Sequence, residues 1–121
     1  MTKIMVVEDD VQASTFLAEV LSAEGYVPIV VNESSKAMSM ANATFPDAFL
    51  LDLMMPEPDG FRLCRMLRAS QNFVATPIII VTALDDTDSR IVAFGAGAND
   101  YIVKPFHIDE LSSKIKALLG K

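Results

Sequence analysis

The chain has 121 residues, 51% of them hydrophobic, so we expect residues 1–121 to form a single domain with a normal core. Its net charge of −6, without a run of Lys or Arg, makes it a poor candidate for direct contact with nucleic acid or an anionic membrane. The single cysteine, Cys64, excludes an internal disulfide, and the lack of a long apolar stretch predicts a soluble cytoplasmic protein.

Five short apolar runs recur along the chain at regular intervals. They are Ile4–Val7, Val27–Val31, Ala48–Leu51, Ile78–Val81 and Tyr101–Val103. Because the runs are rich in Val, Ile and Leu, they are typical of strands buried on both faces, as in a parallel sheet.

The segments between these runs carry helical patterns. One apolar stripe at helical spacing comprises Ala13, Phe16, Leu17, Val20 and Leu21, with Gly25 as a stop signal. A second stripe comprises Ile108, Leu111, Ile115, Leu118 and Leu119. Residues 34–44, 60–70 and 86–97 are weaker helical segments, and Pro46 and Pro77 close the first two.

The alternation of strands and helices predicts an α/β fold of (βα)₅ type, a doubly wound five-stranded parallel sheet between helices in three layers. For such a fold the common strand order is the flavodoxin-like 2-1-3-4-5.

Polar residues follow four of the five predicted strands. They are Glu8, Asp9 and Asp10 after the first strand, Asp52 after the third, Thr82 after the fourth and Lys104 after the fifth. The carboxyl ends of parallel strands border the ligand crevice of an open α/β sheet, so we expect these side chains to converge. Two carboxylates about 4 Å apart repel by roughly 4 kcal/mol at an effective dielectric constant near 20. Such a cluster therefore takes up a proton or binds a cation.

The residue types of this cluster indicate phosphoryl chemistry. Oxygen ligands without a nearby cysteine or histidine favour Mg²⁺ over Zn²⁺. A carboxylate such as Asp52, placed beside Mg²⁺ and Lys104, is suited to attack a phosphoryl group, and the Thr82 hydroxyl can donate a further hydrogen bond. Asp10 is instead predicted to cap the first helix.

Four sequence blocks resemble the signature motifs of response-regulator receiver domains, the chemotaxis-regulator-like domains of two-component signalling. The blocks are Val6–Asp10, Leu50–Gly60, Val81–Ala83 and Tyr101–Phe106. They stand in order at the family's spacing, and the likeness covers essentially the whole chain. Glu8 is a mild variation, because many members have Asp there. The resemblance implies a phosphorelay domain, not an enzyme with a separate substrate, phosphorylated by a sensor histidine kinase or a phosphotransfer protein.

The resemblance also implies a role for each matching residue. The phosphoacceptor would be Asp52, with Thr82 and Lys104 contacting the phosphoryl oxygens and Ala83 leaving room for them. The implied ligands of Mg²⁺, for which Mn²⁺ can substitute, are the side chains of Asp9 and Asp52, the backbone carbonyl of Met54 and, through water, Glu8. Met54 and Leu84 would flank the phosphoryl group, and their apolar side chains predict slow self-dephosphorylation. The Lys104–Pro105 bond matches the family's cis peptide.

For output, the resemblance implies a switch at Tyr101, which would move inward as Thr82 moves toward the phosphoryl group. The responding face would comprise the fourth helix, the fifth strand and the fifth helix. Charges on this face, from Arg90, Asp100 and Lys116, suggest a homodimer promoted by phosphorylation. A stand-alone regulator and the N-terminal receiver of a longer protein both stay open.

Two other functions are compatible with a related fold. A phosphatase of the haloacid-dehalogenase type uses an aspartyl nucleophile but has a second Asp two residues later, where this chain has Met54. A flavodoxin-like flavin binder has a phosphate-binding loop rich in Ser, Thr and Gly after the first strand, where this chain has three acids. Both alternatives are therefore disfavoured.

Overall fold

Strands and helices alternate along residues 1–120, which are the residues that this computed structural model describes; Lys121 lies outside them. The strands are β1 (Lys3–Val7), β2 (Val27–Val31), β3 (Ala48–Leu51), β4 (Ile78–Thr82) and β5 (Asp100–Val103). The helices are α1 (Val11–Ala23), α2 (Ala37–Thr44), α3 (Gly60–Ala69), α4 (Thr87–Gly95) and α5 (Ile108–Leu119), with one 3₁₀ turn at Ser34–Lys36. No helix among residues 1–120 is long and apolar enough to cross a membrane.

The five strands form one parallel sheet in the order β2-β1-β3-β4-β5, which confirms the predicted order. In its register, Val7 at the end of β1 lies opposite both Val31 and Leu51, the last residues of β2 and β3. At the far side, Thr82 lies opposite Val103. The residues that follow the strands therefore emerge along one edge of the sheet.

Side-chain alternation along the strands divides the core into two layers. In β1, Met5 and Val7 pack with residues of α2, α3 and α4, whereas Ile4 and Val6 pack with residues of α1 and α5. Successive strand residues point to opposite faces, so a fully apolar strand such as β4 serves both layers. The predicted three-layer arrangement is confirmed.

The prediction that every strand is buried on both faces is wrong for β2. Val31 is buried, but Val27 and Val30 are exposed, because β2 is an edge strand that pairs only with β1. An apolar run does not by itself distinguish an edge strand from a central one. Likewise, α3 ends at Ala69, so Pro77 does not close this helix but lies just before β4.

Candidate functional site

The loop from β1 to α1 places three acidic residues at the carboxyl edge of the sheet. Glu8 is only 2% exposed, while Asp9 and Asp10 are exposed. The Glu8 carboxylate accepts a hydrogen bond from the Asp10 N–H (3.2 Å). The Asp10 carboxylate accepts one from the Gln12 N–H (3.1 Å), which confirms that Asp10 caps α1.

Asn32, which follows β2, is a positioning residue that the sequence analysis missed. Its side-chain amide donates to the Glu8 carbonyl (2.8 Å) and to the hydroxyl of Ser14 (2.9 Å), a buried residue of α1. The Ser14 hydroxyl in turn donates to the Val11 carbonyl (3.0 Å). These bonds tie the acidic loop to the edge strand and to the first turn of α1. The sequence did contain a signal for Asn32, because it is a polar residue directly after a predicted strand, as are the residues that marked the other strand ends.

Asp52 emerges from β3 and is 8% exposed. One of its carboxylate oxygens accepts a hydrogen bond from the Met54 N–H (3.1 Å). The other accepts one from the Lys104 ammonium group (3.1 Å). The chain beyond Met54 runs to α3, and the Asp59 side chain caps that helix by accepting from the Arg62 N–H (2.9 Å).

Lys104 joins the two buried carboxylates. Its ammonium group forms ion pairs with both Glu8 and Asp52. Its backbone N–H donates to the Thr82 carbonyl (2.8 Å), which extends the pairing of β4 and β5 by one residue. The Lys104–Pro105 peptide bond is cis, as the family resemblance implies. The structure therefore brings together three residues that lie far apart in the sequence.

The electrostatic balance of this triad is uneven, because one ammonium group faces two carboxylates. Burial raises the pKa of Glu8 to about 7, against the opposing effect of Lys104. Burial also acts to raise the pKa of Asp52, but hydrogen bonds from Glu8, the Met54 amide and Lys104 hold that pKa below its ordinary value. Burial acts to lower the pKa of Lys104, yet its two acidic partners raise it above the ordinary value. The two carboxylates thus differ in the direction of their pKa shifts, although the one ammonium group contacts both of them.

The β4–α4 connection carries the remaining predicted residues. Thr82 is fully buried, Ala83 is exposed and Leu84 is half-buried. The Thr82 hydroxyl accepts a long hydrogen bond from the Leu84 N–H (3.4 Å), and the Leu84 carbonyl accepts one from the Tyr101 hydroxyl (2.6 Å). The Tyr101 ring is buried, with the Arg90 guanidinium 4.7 Å from its centroid. The structure therefore connects the two predicted switch residues through one backbone residue.

The oxygen donors at this edge suit Mg²⁺ better than a metal that needs a closed protein cage. Within residues 1–120, no group of three or more acidic, histidine or cysteine side chains is arranged to hold a metal ion by itself. Mg²⁺ commonly keeps several waters and binds through only one or two carboxylates. Asp52, whose pKa is lowered, and the exposed Asp9 are compatible with that mode of binding.

Comparison with known proteins agrees with this geometry. A model of the response regulator receiver domain matches residues 4–116. The chain belongs to the response regulator receiver domain family. It is 40% identical over 121 residues to the response regulator ArlR of Staphylococcus saprophyticus, a match that covers 100% of this chain and 54% of that protein. The chain spans about half the length of the curated relatives that it matches.

Solved receiver domains have the same fold. The BeF₃-activated N-terminal receiver domain of Klebsiella pneumoniae RstA superposes with a TM-score of 0.92 at 32% identity, covering 99% of this chain and 100% of that one. The receiver domain of the sensor histidine kinase PA1611 from Pseudomonas aeruginosa superposes with a TM-score of 0.91, also at 32% identity, covering 99% and 98% of the two chains. That structure has a magnesium ion coordinated in its active-site cleft.

The raised pKa of Glu8 predicts a pH dependence for the stability of the metal-free receiver domain. Between the ordinary value of 4.5 and about 7, folded Glu8 keeps a proton that the unfolded chain has released. The free energy of unfolding should therefore fall as the pH rises through this range. Glu8→Gln cannot ionise, so we expect it to be more stable than wild type at pH 8 by roughly 1–3 kcal/mol and to differ little near pH 4.5.

Urea denaturation in the presence of a chelator at both pH values measures this difference. Glu33→Gln is the matched control, because it removes the same charge from an exposed side chain. An equal pH dependence in wild type and Glu8→Gln would contradict the prediction.

Proposed function

We propose that this receiver domain, residues 1–121, is a cytoplasmic, Mg²⁺-dependent phosphoacceptor that carries its phosphoryl group on Asp52. The observation that carries the proposal is the ion-paired triad in which the Lys104 ammonium group contacts both buried carboxylates, those of Asp52 and Glu8. Asp52 combines a lowered pKa, a fixed orientation and a neighbouring cation. These are the properties that a carboxylate nucleophile requires.

The proposed reaction transfers a phosphoryl group from phosphohistidine, or from a small phosphodonor, to Asp52. One carboxylate oxygen of Asp52 forms a bond to phosphorus as the bond between phosphorus and the donor breaks, and the donor leaves with that electron pair. Lys104, which already bonds this carboxylate, stabilises charge on the phosphoryl oxygens. Thr82 lies one strand away and is proposed to donate its hydroxyl proton to a phosphoryl oxygen, with Ala83 leaving the approach open.

Bound Mg²⁺ would neutralise charge on the phosphoryl oxygens and the acceptor. Its proposed ligands are the side chains of Asp9 and Asp52, the backbone carbonyl of Met54 and, through water, Glu8. When the cation is present, Glu8 no longer needs a proton to balance the second buried carboxylate. Mn²⁺, which also takes oxygen ligands, is proposed to substitute.

We propose a sensor histidine kinase or a phosphotransfer protein as the phosphodonor. This proposal rests on family membership and on the likeness to a receiver domain that belongs to a sensor histidine kinase. The domain acts on itself and not on a separate substrate. It is expected to show a single phosphorylation per chain and no multiple turnover of another protein or metabolite.

Removing the acceptor gives the most direct test. With Mg²⁺ and acetyl phosphate, wild type should gain one phosphoryl group by intact-protein mass spectrometry, and Asp52→Ala should gain none. Omitting Mg²⁺ should prevent the modification of wild type. Modification of Asp52→Ala at the wild-type rate would reject the proposal.

Asp10→Ala is the matched acidic control for this experiment. Asp10 lies on the same edge but is used as the cap of α1. The variant should lose about 1 kcal/mol of stability, the usual cost of removing an N-cap, while still accepting one phosphoryl group.

The apolar side chains beside the site predict a long-lived phosphoryl group. Met54, two residues after Asp52, is 56% exposed, and the half-buried Leu84 packs against the core. Both are proposed to hinder an attacking water, so Met54→Asn/Leu84→Asn should dephosphorylate several-fold faster than wild type. The rate is followed by phosphate release after the donor is removed. The control Met66→Asn, at an exposed methionine of α3, should leave the dephosphorylation rate unchanged. Equal phosphoryl lifetimes in wild type, the double variant and the control would refute the hypothesis.

The face formed by α4, β5 and α5 is proposed to transmit the signal. Two of the three charges predicted to pair between subunits are engaged within the chain: Arg90 lies over Tyr101, and Asp100 forms an ion pair with Lys114 (3.0 Å). Apolar side chains of α4, namely Ile91, Val92 and Phe94, remain exposed. A homodimer through this face would therefore depend mainly on apolar burial.

Analytical ultracentrifugation tests the proposed homodimer. Mg²⁺ with beryllofluoride should raise the weight-average sedimentation coefficient of wild type toward that of a dimer. Ile91→Asp should remain monomeric, because it would bury an unpaired charge. Val74→Asp, at an exposed apolar residue away from this face, is the control and should behave as wild type. An unchanged sedimentation coefficient in wild type would reject the dimer.

A further inference from the structure

Gly60, the first residue of α3, lies directly against the backbone of the acceptor segment. Its N–H donates to the Leu53 carbonyl (3.2 Å). A Cβ atom built on Gly60 would lie 2.1 Å from the carbonyl oxygen of Asp52 and 2.6 Å from the Cα atom of Leu53. Nonbonded heavy atoms prefer separations of about 3.5–4.0 Å. A side chain at position 60 would therefore force one of the two backbone segments to move.

The need for glycine here comes from the close approach and not from backbone conformation. The glycines with positive φ angles are Gly25, Gly97 and Gly120, and Gly60 is not among them. Its φ angle is thus available to any residue, and only the missing Cβ distinguishes it. The contact is with the acceptor residue itself, so it bears on the chemistry of the site.

Both sides of this close contact are packed into the core. Leu63, Cys64 and Leu67 of α3 are all buried in the core cluster that also includes Leu51 and Leu53. Close-packed interiors resist displacement, so α3 cannot simply move away from an added Cβ, and the connection after β3 would be displaced as well. That connection carries Asp52 and leads to Met54.

We propose that Gly60 is a positioning residue that keeps the Asp52 carboxylate at the correct place beside Lys104. The inference rests on the proposed role of Asp52 as phosphoacceptor. Displacing the Asp52 backbone by about 1 Å would misalign the carboxylate with Lys104 and with the attacked phosphorus. A misplacement of that size can slow a reaction by about 10²-fold. The same displacement would move the Met54 carbonyl, a proposed ligand of Mg²⁺.

Gly60→Ala tests this inference, with Gly95→Ala as the matched control. Gly95 lies at the end of α4, and a Cβ there would meet nothing within 4 Å. At saturating Mg²⁺ and acetyl phosphate, Gly60→Ala should be phosphorylated about 10–100-fold more slowly than wild type, and its half-saturating Mg²⁺ concentration should rise. Gly95→Ala should match wild type in both quantities.

A second readout requires neither metal nor phosphodonor. The Met54 amide donates to the Asp52 carboxylate, so its proton and nitrogen chemical shifts report the placement of the acceptor. In metal-free protein, Gly60→Ala should displace these resonances and Gly95→Ala should not. A purely structural role would lower the melting temperature of Gly60→Ala while leaving the Met54 resonances and the rate per folded molecule unchanged.

The outcomes separate the two proposals. If wild type is not phosphorylated, the proposed function fails. If wild type is phosphorylated and folded Gly60→Ala matches it in rate, Mg²⁺ dependence and Met54 shifts, only the positioning role is overturned. If Gly60→Ala does not fold, the same measurements are made on Gly60→Ala/Gly95→Ala, in which alanine stabilises α4. Failure of that variant to fold would also overturn the positioning role, because Gly60 would then serve the fold.

Discussion

The pairing of one lysine with two buried carboxylates is the constraint around which the rest of the site is organised. Glu8 and Asp52 are withdrawn from water, and Lys104 bonds both of them. Burial of an unbalanced charge is costly, so a proton or a cation must complete the set. Burial raises the pKa of Glu8, whereas hydrogen bonds outweigh burial at Asp52 and hold its pKa below the ordinary value. A divalent cation bound at this edge would supply the positive charge that a proton on Glu8 would otherwise provide.

The sheet makes this pairing possible because its order brings separate strand ends to one edge. With β1 and β4 on either side of β3, Asp52 has an acidic loop on one flank and a threonine on the other. Side-chain and backbone hydrogen bonds then set the fine geometry. Asn32 holds the carbonyl of Glu8, the Met54 N–H orients the Asp52 carboxylate, and the backbone of Lys104 bonds that of Thr82.

Much of this arrangement could be predicted because it depends on patterns that are local in sequence. Apolar runs identified all five strands to within one residue at each end, and a polar residue after a strand marked Asp52 and Lys104. The predicted strand order already placed β2 at an edge, but its apolar run did not reveal that Val27 and Val30 are exposed there. The role of Asn32 depends on contacts with Glu8 and Ser14, which are distant in sequence. The close approach of Gly60 to Asp52 likewise becomes visible only in three dimensions.

The contacts of Leu84 give the proposed switch a physical connection. Its N–H bonds the Thr82 hydroxyl through a long contact, and its carbonyl bonds the Tyr101 hydroxyl. If the Thr82 side chain moves toward a phosphoryl oxygen, its hydroxyl oxygen would leave the Leu84 N–H, and the Leu84 segment could then adjust. Because Tyr101 also contacts Arg90 and Phe94 of α4, that adjustment reaches the helix with the exposed apolar side chains. These packed and hydrogen-bonded groups form a continuous connection by which the proposed change of charge at Asp52 would reach the α4 surface.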